Sequence, residues 1–222
     1  MCRPMQPGHF VEIVSLSLFG LLPIVNPFSV APLFLTLTAD MDERTRRQQA
    51  LNACVYGFLI LLTFLLLGSF IIDFFGISVS GIRVAGGLII AFIGFRMLFP
   101  DPHPAMHTGA ASDQRITDVS FTPLAMPSLA GPGSISLALS AAGRMQLQNG
   151  SPFYLTYGAV ILGIALTFVI AYFTLLAASY MVRFLGRSGT DAMTRIFGFL
   201  LICIGVQFFL TGIASFFRLQ VN

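Results

Sequence analysis

Charge is what this sequence most conspicuously lacks. Only 9% of its 222 residues are charged, and every basic residue is arginine. A soluble domain carries roughly a quarter charged residues, so a water-facing surface cannot be assembled from this chain. Hydrophobic residues make up 56% of it and the mean hydropathy is +0.86, the balance of an integral membrane protein. Net charge is only +3. The arginines are scattered between apolar runs with no basic stripe interleaved with aromatics, which argues against nucleic acid as a partner. Cysteine is scarce as well: Cys2, Cys54 and Cys203 are odd in number and far apart. They make neither a disulfide framework nor a metal spacing, and two of them fall in apolar runs, where a free thiol behaves as a small apolar side chain.

Catalytic groups are missing too. No His-Glu-x-x-His, Gly-x-Ser-x-Gly or paired intramembrane carboxylate occurs, so nothing supplies a nucleophile with its base or a helical metal set. The expectation is a protein that is not an enzyme and takes no cofactor. No histidine lies in any apolar run. Asp101, His103 and His107 have a loose ligand spacing, but in a proline-rich stretch they are assigned no metal. Glu12 is too near the start of the first run to lie deep. Asp73, Arg83 and Arg96 are expected at span ends, where snorkelling keeps their charge at the interface.

What is present is a series of apolar runs: 10–38, 50–72, 82–99, 119–142, 153–182 and 192–217. The first is read as a retained span rather than a cleaved leader, because no small-residue cleavage pattern follows it. Between the third and fourth, residues 100–118 (PDPHPAMHTGAASDQRITD) have no apolar period and read as a linker. The expected domains are a first three-helix unit (1–99), a cytoplasmic linker (100–118) and a second three-helix unit (119–222).

Two runs are broken. Leu22 to Leu33 reads LPIVNPFSVAPL, with Pro23, Pro27, Pro32 and the polar Asn26. Thr122 to Ser136 reads TPLAMPSLAGPGSIS, with Pro123, Pro127 and Pro132 among Gly131 and Gly133. Proline removes a backbone donor and clashes with the preceding turn. Opened backbone at bilayer depth is tolerated only against protein or a watery cavity. Paired interruptions in two halves of a chain point to a transporter's binding site. The start of the second half-helix offers free N–H groups for a carboxylate, and the end of the first offers carbonyls for an ammonium or a cation. Small residues (Ala31, Ala125, Ala130, Gly131, Gly133) let a ligand approach the backbone. Ser29, Ser128, Ser134 and Ser136 add hydroxyls. The competing reading is a proline kink for Asn26-Pro27 and close helix packing for the small residues and serines; for any single serine both stay open. Gly87, Ala91, Gly94 and Gly198 are assigned to packing.

The halves also look related. Phe74, Gly76, Ser78, Arg83, Gly86, Leu88, Ile90 and Gly94 recur in order as Phe184, Gly186, Ser188, Arg195, Gly198, Leu200, Ile202 and Gly205. Tyr56-Gly57 has its counterpart in Tyr157-Gly158. Three spans per half make such a repeat inverted. The expected fold is an all-α integral membrane protein of six transmembrane helices, two inverted three-helix repeats with helices 1 and 4 interrupted. Eight arginines lie on or beside the side reached after spans one, three and five, and four lie opposite. The positive-inside rule then puts both termini outside the cytoplasm and the linker within it.

LLPIVNPFSVAPLF, GIRVAGGLIIAFIGFRMLF, FTPLAMPSLAGPGSIS and GFLLICIGVQFFLTGI together resemble the MarC family, also called the small neutral amino acid transporter family, similar in layout to the six-span lysine-exporter superfamily. The resemblance covers nearly the whole chain. It implies a secondary transporter of the bacterial inner membrane and, for some members, movement of small neutral amino acids such as glycine and alanine. Carried over, the site falls on Pro23, Asn26 and Pro27, and on Pro127, Gly131, Pro132 and Gly133, with Ser29, Ser128 and Ser134 beside them. The expected partners are the amino acid and the lipid bilayer, with a coupling proton or sodium ion as an open alternative. An exporter or channel for another small metabolite, and a membrane enzyme or scaffold, are the competing readings.

Overall fold

A computed structural model describes residues 7–99, 119–147 and 153–217; the linker 100–118, with Asp101, His103 and His107, lies outside them, as do Cys2 and both ends of the chain. Among the described residues all regular structure is helical: α1 (Pro7–Val25), α2 (Pro27–Leu37), α3 (Glu43–Phe75), α4 (Val79–Leu98), a π-helical segment (Ser120–Leu129), α5 (Pro132–Leu147), α6 (Phe153–Leu176) and α7 (Ala178–Phe216).

Local chemistry sets the boundaries. Asp42 caps α3, its carboxylate accepting from the Thr45 N–H. Gly76 ends α3 in the left-handed conformation at φ 62°, which glycine adopts without a steric cost. Ser78 then caps α4 by accepting from Gly81 N–H at 3.0 Å. The charged stretch after the first run, expected as a loop, is helical from Glu43 onward. Likewise α6 ends at Leu176 and α7 starts at Ala178, earlier than the apolar pattern placed the turn. Gly186, with φ 65° and ψ −175°, breaks α7 near its start and leaves Ser188–Phe216 as the part of membrane length.

Four helices among the described residues are long and apolar enough to cross a bilayer singly, and α1 with α2 passes as a pair bent by 44°. The fourth expected span, 119–142, is instead divided into a π-helical piece of 10 residues and an α5 of 16. Neither piece has the roughly 20 apolar residues of a straight span.

Polarity is arranged inside out. Large apolar side chains such as Leu66, Phe70, Phe92, Phe95, Phe173 and Phe199 face outward, while Asn26, Thr38, Gln49, Arg83, Ser134, Ser140 and Thr167 are buried. A cluster around Leu21, Val25, Phe34, Leu61, Leu65 and Ile164 fills the centre. The tightest contact is α4 against α7. A Cβ on Gly87 would lie 2.6 Å from the Gly205 carbonyl oxygen, and one on Gly205 would lie 2.6 Å from that of Gly87. Gly94 and Gly198 are placed just as closely, 2.6 and 2.9 Å. Small residues facing each other let two backbones touch, so the packing role expected of Gly87, Gly94 and Gly198 is met. Elsewhere α1 lies on α6, α3 on α5, α6 and the π-helical segment, and both α2 and α4 reach into the second half, on α7 and α5.

Candidate functional site at two helix breaks

The first break is a single residue. Asn26 stands between α1 and α2 at φ 41° and ψ 62°, the left-handed region that asparagine visits more readily than most residues. Its N–H still donates to Leu22 O at 2.9 Å, closing α1. Its carbonyl and its Oδ1 both receive the Ser29 N–H, at 3.2 and 3.4 Å, opening α2. Pro27 can follow because the first helical position has no use for an N–H. Asn26 is thus a cap inside the bundle, only 4% exposed, with Nδ2 directed at Met97 Sδ of α4, 3.7 Å away. The adjacent Ser29 Oγ is covered and has no hydrogen-bond partner among the described residues. A covered hydroxyl in that state costs about 1–3 kcal/mol, so it calls for a polar group.

The second break is built differently. Pro123 and Pro127 bring no N–H to the helix, and the segment widens into a π-helix ending on Ala130 N–H to Ala125 O, 2.8 Å. Such i+5 turns gather at functional sites. The segment is anchored to α3, where buried Gln49 Oε1 accepts the Val119 N–H at 3.1 Å. After Gly131, Pro132 starts α5, and the Gly131 carbonyl accepts from Ile135 N–H at 3.1 Å and from Ser134 Oγ at 2.9 Å.

The fold brings the two breaks together. A Cβ on Gly133 would lie 3.2 Å from Ile24 Cγ2 and 2.9 Å from Ile90 Cγ1, so the start of α5 touches the last turn of α1 over the middle of α4. Asn26, Pro27, Gly133 and Ser134 are buried; Pro23, Ser29, Ser128 and Gly131 are half-buried; Pro132 is exposed. Pro127 lies in the π-helical segment. A cavity of about 200 Å³ lies on one side of the first break, lined by residues including Ser17 and Gly20 of α1 and Leu137 and Ala141 of α5. Another, of about 360 Å³, lies beyond the break at the far end of α2, among Phe34, Arg46, Arg47 and Ser179. There Arg46 donates to the Thr38 carbonyl at 3.1 Å, placing a cation at the negative end of α2.

One expectation is overturned. Arg83 does not snorkel: it is 8% exposed, its Nε donating to Ser140 Oγ of α5 and its Nη1 to Ser215 Oγ of α7, both at 3.1 Å. It lies one turn into α4, and hydroxyls on two neighbouring helices hold it inward. The signal for it was in the sequence, an arginine within an apolar run. Gln49 gave no such signal, since it belongs to a charged stretch. Arg96 and Asp73 are exposed, as expected at span ends.

An apolar exterior, buried polar groups and helices interrupted inside the bundle define a polytopic integral membrane protein with irregular backbone at its centre. Residues 11–217 match the MarC family of integral membrane proteins, and the chain belongs to that family. It is similar to the inner membrane protein MarC of Escherichia coli (strain K12), 38% identical over 213 residues that cover 93% of this chain and 96% of the relative. The proteins of that name from Shigella flexneri and Shigella boydii serotype 4 give the same values. No solved structure matches the chain.

Proposed function

We propose that the protein is a secondary transporter of small neutral amino acids, of the glycine and alanine class, working by alternating access in a bacterial cytoplasmic membrane. The observation that carries this reading is the meeting of the Asn26 break with the Gly131–Gly133 break. Half-helix ends of both polarities then converge where a zwitterion needs them, its carboxylate at N–H groups and its ammonium at carbonyls. The uncommitted Ser29 hydroxyl adds a polar contact. Glycine, alanine and serine around the breaks leave room for a small polar solute and little for a drug-sized one. The cavity at the far end of α2, with Arg46, Arg47 and Ser179 in its lining, suits access of a polar solute from that side.

The architecture belonging to this reading is six spans in two inverted repeats. Gly76 and Gly186, which the internal alignment equates, are the two glycines with positive φ among the described residues. Packing follows the same exchange: α1 lies on α6 as the π-helical segment lies on α3, and α2 lies on α6 and α7 as α5 lies on α3 and α4. The deciding experiment is uptake of labelled glycine and alanine into proteoliposomes, with and without imposed proton and sodium gradients. Saturable uptake with counterflow is expected; uptake without counterflow would identify a channel, and its absence for both solutes would refute the substrate class.

A further inference from the structure

The seam between α4 and α5 contains a charge that the two breaks do not use. Gly133 faces Ile90, Ser136 faces Gly86, Ser140 receives Arg83 and Gly143 faces Val79. Steps of three and four residues place each set on one helix face, so the seam runs continuously from the α5 break to Arg83. The distance along α4 from Ile90 to Arg83 is about 10 Å at 1.5 Å per residue. Arg83 is the one charged side chain among the buried described residues. Its hydrogen-bond acceptors in α5 and α7 are neutral serines, and the charged neighbour acting on it is another cation, Arg144 of α5. Buried charges in membranes are paired or functional. Among the described residues the surplus here is positive, in a planar fork that matches a carboxylate.

We propose that Arg83 is a carboxylate-binding station on the α4–α5 seam, holding the carboxylate of a small solute between the Arg144 end of the bundle and the α5 break. This deepens the transport reading and rests on it for the solute's passage, but not for the binding itself. Arg83 also braces α5 to α7, and a purely bracing role predicts stability changes without any preference for carboxylates.

The full chain in detergent tests this with acetate as the probe and methylammonium as the control, at equal ionic strength. Acetate is expected to raise the thermal midpoint and to slow modification of Arg83 by phenylglyoxal, and methylammonium to do neither. In Arg83→Gln the acetate shift should vanish; in Arg83→Lys, which keeps charge without the fork, affinity should fall about tenfold to a hundredfold. Should Arg83→Gln fail to fold, Arg83→Lys and phenylglyoxal protection in the unaltered chain decide. The proposal is overturned if acetate neither shifts nor protects, or if its effect survives in Arg83→Gln. Acetate binding through Arg83 in a protein that carries no glycine would leave the station standing and refute the transport reading. Glycine uptake of unchanged KM in a folded Arg83→Gln protein would do the reverse.

Discussion

Replacing Asn26 separates its two roles, because the backbone and the amide can be removed independently. Asn26→Gly keeps the left-handed turn at φ 41° and deletes only the side chain. Glycine in place of asparagine at a helix cap costs a few tenths of a kcal/mol. Asn26→Ala loses the cap, about 0.5–2 kcal/mol, and leaves a Cβ in left-handed backbone without the local side-chain hydrogen bond that lets asparagine occupy it, about 1–2 kcal/mol more. The structure therefore orders thermal stability in detergent as Asn ≈ Gly > Ala, with a gap of about 1–4 kcal/mol between the last two. Transport follows a different order if the amide contacts solute. A hydrogen bond to a charged group is worth about 1.5–3 kcal/mol, so glycine affinity in Asn26→Gly proteoliposomes should fall about tenfold to a hundredfold. A stable Asn26→Gly protein carrying glycine with wild-type affinity would show that the amide serves the fold alone. An Asn26→Ala protein as stable as Asn26→Gly would refute the argument from backbone strain.

Gly87→Val should lower the yield of folded protein, since its Cβ would lie 2.5 Å from Phe209 N and 2.6 Å from Gly205 O, and overpacking costs about 1–3 kcal/mol; Gly158→Ala, with nothing within 4 Å, should leave the yield unchanged in the same size-exclusion assay. A reporter fused after Asn222 should behave as extracytoplasmic and one inserted in residues 100–118 as cytoplasmic; the opposite pattern would reverse the topology. Hydrogen bonds from the Thr45 hydroxyl and N–H hold the Asp42 carboxyl below its ordinary value. Because the folded value is depressed, the capping stabilisation of α3 is present above the ordinary carboxylate value and is lost only as pH falls through the lowered one. Hydrogen exchange in the first turn of α3 should follow that acid loss, and Thr45→Val should move its midpoint upward; an unmoved midpoint would sink this account of the cap.

Much of this protein follows from composition and local chemistry alone. Membrane class comes from scarcity of charge, and helix from continuous apolar runs long enough to cross a bilayer while satisfying their own backbone groups. The break at Asn26 follows from an asparagine placed before a proline, which no tertiary contact is needed to explain. Gly76 and Ser78 mark the turn between α3 and α4 by the same local logic. Family membership, too, was legible in the four motifs.

Tertiary structure decided what depends on neighbours remote in sequence. The fourth apolar run gave no sign that its prolines would lie in a π-helix; that segment packs on α3, where Gln49 receives the N–H of the preceding Val119. Arg83 looked like an interfacial cation from its place near the start of a span. Its burial was set by Ser140 and Ser215, which lie 57 and 132 residues away. Likewise a glycine pattern says that something packs closely, but not that Gly87 meets Gly205 and Gly94 meets Gly198. The sequence therefore determined where the helices open, since opening a helix is a local event. Only the folded chain decided that the openings touch and that a buried cation lies along the seam leading from one of them.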